Sequence, residues 1–126
     1  MFGLHRNFFF VLRFYYATEP PDAPYILPIY FSDIGERSII VKWQATADAK
    51  SPLRYFTLQL NKNGEGWQVY SANVLHNLRN LKVEGLFPGE SYTFRIMATN
   101  DKGNSPYSAA SSTVTTRLAC KCNVSC

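Results

Sequence analysis

Cysteine is absent from the first 119 residues; the three that occur, Cys120, Cys122 and Cys126, fall in the last seven. The fold of the body therefore owes nothing to disulfides. Those three thiols could be read as soft metal ligands, but they are not expected to make a zinc site, because structural zinc wants four ligands and the nearest other candidate, His76, is far away in sequence. An odd number in a short tail fits one local disulfide, a free thiol or a tail of unusual exon origin. No metal is expected. Histidine is almost as scarce, with His5 and His76 alone, and no Ser/His/Asp set, phosphate loop or carboxylate pair stands in a motif context. A non-enzyme without cofactor or small-molecule substrate is the expectation.

Long apolar runs are missing too. Phe8 to Leu12 is five residues, cut off by Arg13, which is too short and too charged to span a bilayer. No transmembrane segment is expected. The same stretch, with Arg6 ahead of it, resembles a secretory signal poorly: the apolar region is short, and Tyr15 stands where cleavage before Ala17 would want a small residue. Charge is sparse at 17%, and the net +4 comes from single Lys and Arg residues such as Lys42, Lys50, Arg54, Lys62, Arg79, Lys82 and Lys102, with no basic arm. Nucleic acid is not an expected partner.

What the chain does have is 15% aromatic residues and strand-like alternation. Its organising stretch runs from Leu86 to Ser108. Within it Tyr92, Phe94, Ile96 and Ala98 fall on one face and Thr93, Arg95, Met97 and Thr99 on the other, the period of a half-buried strand. Pro88-Gly89-Glu90 and Asp101-Lys102-Gly103-Asn104 bound it with turn chemistry. Upstream, Pro20, Pro21, Pro24 and Pro28 make an extended lead-in and a domain boundary, and Ile29, Phe31 and Ile34 read as a short first strand. Ile39, Val41 and Trp43 share a face of the next. Ala45 to Pro52 reads as a polar connection, after which Phe56, Leu58 and Leu60 point inward. Asn61 to Gly66 is a hairpin turn leading into a short return strand, Trp67 to Tyr70. Leu81 and Val83 serve the core, and a last strand lies near Thr113 to Thr116. Seven short strands with no sustained helical period predict an all-β, antiparallel, immunoglobulin-like β-sandwich.

Trp43, Phe56, Leu58, Leu86, Tyr92, Phe94 and Ile96 are the expected core. Trp67 and Tyr70, on a short strand expected at a sheet edge, are the candidate contact surface. Asn123-Val-Ser125 is the single glycosylation sequon, which makes Asn123 the candidate acceptor.

Pro24 with the prolines before it, Trp43, Phe56 with Leu58, Leu86, Pro88-Gly89, Tyr92 and Ala98-x-Asn100-x-x-Gly103-x-Ser105 together resemble a fibronectin type III domain, over residues 19–117. The resemblance implies strands A, B and E packed against C, C′, F and G, with Tyr92 pinning the E to F corner through its hydroxyl. Residues 1–18 are then an atypical N-terminal segment and 118–126 a cysteine-containing tail. Pro-Pro-Asp-Ala-Pro at the start and Tyr-Thr-Phe-Arg-Ile-Met-Ala-Thr-Asn-Asp-Lys-Gly are most similar to modules of neuronal immunoglobulin-superfamily adhesion receptors such as the sidekick proteins.

Such a likeness implies a non-catalytic extracellular module of a cell-adhesion or receptor protein, giving protein contact or spacing, with protein partners or neighbouring tandem domains. An intracellular structural spacer is the alternative. So is an accessory domain of a larger receptor enzyme such as a receptor tyrosine phosphatase. Integrin binding through Arg-Gly-Asp is not supported, since the corresponding loop reads Asp101-Lys102-Gly103, and there is no Trp-Ser-x-Trp-Ser box of the cytokine-receptor kind.

Overall fold

The computed structural model describes residues 19–45 and 52–119. The expectations for residues 1–18, for most of the polar connection after Ala45 and for the tail with Cys120, Cys122, Asn123 and Cys126 lie outside the described residues. Within them, eight strands form two antiparallel sheets. β1 (Tyr25–Ile26), β2 (Ile39–Gln44) and β5 (Asn80–Val83) make one, in the order β1-β2-β5. β3 (Tyr55–Lys62), β4 (Trp67–Leu75), β6 (Ser91–Asn100) and β7 (Gly103–Asn104) make the other, in the order β4-β3-β6-β7, and β8 (Val114–Thr115) also pairs with β6. The expected sandwich, with its division of strands between two sheets, is present.

Alternation puts the core between the sheets. Ile39, Val41, Trp43 and Val83 face inward from the smaller sheet, and Phe56, Leu58, Phe94, Ile96 and Ala98 from the larger, all buried to 1% exposure or less. Val74, Leu86, Tyr92 and Val114 complete the cluster. The Trp43 ring meets Phe56 edge-on, with centroids 5.6 Å apart at 63°, a favoured aromatic geometry. Its indole Nε1 is buried and finds no partner among the described residues. Tyr92 does better: the Phe87 N–H donates to its hydroxyl at 2.9 Å, tying the turn that precedes β6 to the core.

Three local expectations change. The first strand lies at Tyr25–Ile26, inside the proline-rich lead-in, while Phe31–Asp33 is a 3-10 turn. The Tyr30 N–H donates to the Asp33 carboxylate at 3.1 Å, so a side chain competes with the ladder just where a strand was expected. The return strand does not stop at Tyr70. It runs nine residues to Leu75, with its register against β3 broken twice, between Phe56 and Gln59. These bulges bend a strand that, among the described residues, has no partner on its far side.

The last strand, β8, lies within the expected 113–116, but Gly103–Asn104, expected only as a turn, forms the short strand β7, and between the two runs a stretch that pairs with β6 by another device. Ser105, Ser108 and Ser111 each donate their N–H to the carbonyls of Ala98, Ile96 and Phe94 in turn, at 2.8 Å. Each Oγ accepts the N–H of the same β6 residue, at 2.9, 3.0 and 2.9 Å. Thr116 repeats the pattern at Glu90, through its own N–H and Oγ1. This segment advances three residues for every two of β6, so it is more compressed than a strand. Hydroxyls replace the missing backbone acceptors.

Candidate functional site

The β3–β4 turn sets where Trp67 begins its strand. Asn63 (φ 55°) and Gly64 (φ 75°) both occupy the left-handed region, as a tight hairpin demands, and the Asn61 side chain accepts the Gly66 N–H at 3.2 Å. Asn63 also holds the corner before β6. Its amide donates to Glu90 at 2.7 Å and its carbonyl oxygen accepts the Ser91 N–H at 3.1 Å. With the turn fixed at both sides, Trp67 is paired with Asn61, an outward position of β3, and its ring lies on the outer face of the larger sheet.

There it covers Arg95. The guanidinium sits 4.4 Å from the Trp67 ring centroid and 4.2 Å from that of Tyr107. Its Nε donates to the Gln59 side-chain oxygen at 2.7 Å. Arg95 and both rings are half-buried. Gln59 is also opposite Val69, which is 56% exposed, and Leu75, opposite the outward Tyr55, is 61% exposed. An arginine between two aromatics, bordered by exposed aliphatics, forms the centre of this face.

Tyr70 is elsewhere. Its hydroxyl accepts the Glu84 N–H at 3.0 Å, which ties the free edge β4 to the connection after β5 across the open side of the sandwich. It is 36% exposed. The two candidate contact residues therefore do not share one surface: Trp67 lies on the outer face against Arg95, and Tyr70 is a strut between the sheets. A shallow cleft beside that strut is lined by Lys62, Gln68, Tyr70, Glu84 and Phe87. Phe87 is half open to solvent, with the Lys62 ammonium 4.3 Å above its ring.

Arg95 was missed at the sequence level as anything beyond an outward strand position. Tyr107 was missed because it lies outside any alternating run. Its signal is the Ser-x-x-Ser-x-x-Ser spacing of residues 105, 108 and 111, which fixes the segment against β6 and so sets Tyr107 beside Arg95. Elsewhere His76 is exposed, and among the described residues no group of three His, Cys, Asp or Glu side chains is placed to hold a metal. No helix among them is long and apolar enough to cross a membrane.

A family model described as "Fibronectin type III domain" matches residues 22–114. Among curated proteins, the chain is 42% identical over 100 residues to protein sidekick-1 of Gallus gallus, covering 78% of this chain and 5% of that protein. It is 32% identical over 95 residues to "Cell adhesion molecule-related/down-regulated by oncogenes" of Xenopus laevis, covering 75% of this chain and 7% of that one. Among solved structures, the chicken CNTN1 FN1-FN3 domains superpose with a TM-score of 0.68 at 28% identity, over 78% of this chain and 33% of theirs. The chain thus spans about a twentieth of the first of these relatives.

Proposed function

Since the chain belongs to the fibronectin type III family, we propose that it works as a non-catalytic, extracellular protein-contact module of a cell-adhesion or receptor protein. Residues 19–117 are the module in this reading. The observation that carries it is the conjunction of likeness to adhesion-related proteins with an outer sheet face whose centre is Trp67, Arg95 and Tyr107. Trp, Tyr and Arg are the residue types that dominate binding energy at protein interfaces. Trp67 is the contact residue on this face, while Tyr70 contributes through the open side of the sandwich. The partner is a protein, in the same membrane's array of modules or on a facing surface. Asn123 is the glycan acceptor when the chain passes through the secretory route.

The test is binding to live cells. Fluorescent beads coated with the full chain are applied to a panel of neuronal and epithelial cells before and after surface proteolysis. Protease-sensitive binding that disappears when the beads carry Trp67→Ala is expected. Beads that bind no cell in the panel, or that bind equally after proteolysis, contradict a protein-contact role.

A further inference from the structure

Building on that reading of the outer face, we propose that the surface centred on Arg95 docks a partner protein through an Asp or Glu side chain set in an apolar segment. The reason lies in how Arg95 is satisfied. Lys42 has Asp33 at 3.5 Å and Arg54 has Asp101 at 2.6 Å. Arg79 caps the carbonyls of His76 and Leu78. Arg95 has no carboxylate among the described residues, although it is more buried than Arg54 or Arg79. Two rings lie against its guanidinium, at 4.4 and 4.2 Å, and its Nε is taken by Gln59. What remains is the edge carrying the terminal N–H groups.

A guanidinium edge is the group that engages a carboxylate in a two-pronged, charge-assisted pair. Here it is held in place before any partner arrives, by the two ring contacts and the Gln59 bond, so less side-chain entropy remains to be lost on docking. The surroundings select the class of partner. Val69 and Leu75 are exposed and apolar, Met97 stands in the same outward row of β6 as Arg95, and β4 from Trp67 to Leu75 carries no charged residue. A sulfated glycan would need several cations in reach. One cation ringed by aromatic and aliphatic surface instead fits an acidic side chain flanked by apolar neighbours on a protein.

The experiment uses the full chain as bait for a phage-displayed library of random 12-residue peptides, with a heparin-derived oligosaccharide as a second probe. Enriched peptides are expected to carry Asp or Glu beside aromatic or aliphatic residues. Their affinity should fall roughly tenfold or more when that acid is changed to its amide, or when Arg95→Gln is made. Gln59→Glu gives the sharper control. It sets a carboxylate on Arg95 within the chain itself, so the fold should melt no lower than wild type while the peptide is lost. A purely structural Arg95 would leave peptide binding intact in Gln59→Glu. Failure to enrich any peptide, enriched peptides without an acid, affinity indifferent to Gln59→Glu, or Arg95-dependent binding of the oligosaccharide alone would each overturn the proposal. Because purified protein is used, failure here is separable from failure of the cell-binding test, which reads any contact on any face.

Discussion

Tyr92 and Trp43 are both buried aromatics, yet they hold the core in different ways. The Tyr92 hydroxyl accepts the Phe87 N–H, so Tyr92→Phe should lose about 1 kcal/mol, the net worth of one hydrogen bond, and Tyr92→Ala about 3 to 5 kcal/mol as the ring's cavity is added. The Trp43 indole N–H has no partner among the described residues to lose. Trp43→Phe should therefore cost only the packing of the smaller ring, about 1 to 2 kcal/mol, and Trp43→Ala again about 3 to 5 kcal/mol. Chemical denaturation of the four variants decides it; a Trp43→Phe loss as large as that of Trp43→Ala would mean that the indole nitrogen is engaged after all. That the two rings belong inside is readable from alternation, because neighbours at two-residue spacing are apolar. The hydrogen-bond state of each is not readable, since it depends on which backbone group lies opposite in space. The same limit hid Arg95: its place on the outward row is legible, while its two stacking partners come from β4 and from the segment after β7, distant in sequence.

Among the elements, β6 is the hub, paired with β3 on one side and with β7, β8 and the serine-bearing segment on the other. Each serine hydroxyl supplies an acceptor that no strand backbone provides at that point. Ser105→Ala and Ser108→Ala, which orphan the Ala98 and Ile96 N–H groups in buried bonds, should each lose about 1 to 3 kcal/mol. Ser111→Ala, at a part-buried bond to Phe94, should lose less because water can substitute. Thermal melts of the three variants should rank in that order, and equal, negligible shifts would show that the hydroxyls do not carry the pairing. Gly89, in the turn before β6 with φ at 69°, should resist replacement for a backbone reason. Gly89→Ala is expected to lose about 1 kcal/mol, with the clash against the Leu118 side chain at 2.8 Å relieved by movement of that exposed residue.

The strands that repeat with period two were legible. The segment that repeats with period three was not; the only strand expected beyond β6 was the one near Thr113 to Thr116. The first strand was misplaced for a related reason. Isoleucine spacing at 29 to 34 looks strand-like, but Asp33 captures the Tyr30 N–H, while two residues in the proline-rich lead-in, Tyr25 and Ile26, find Gln44 and Trp43 across β2. Short-range competition of this kind is invisible to hydrophobic period.

At the scale of the whole molecule, the two sheets enclose one apolar core and leave an outer face whose central charge has two rings packed against it. The Asn63 turn and the Tyr70 strut tie the strands at one end and along the open side. Among the described residues, nothing covers Val69 and Leu75 or pairs with the edge of the Arg95 guanidinium. This is why the surface is read as serving contact and the interior as serving only the fold. The most direct measurement is the fate of the full chain expressed in a secreting cell, with medium and lysate assayed for the protein, its intact mass and its N-terminal residue. An extracellular contact module predicts folded protein in the medium with the N-terminal segment removed and a glycan mass on Asn123. Retention in the lysate with Met1 intact and no added mass would contradict it.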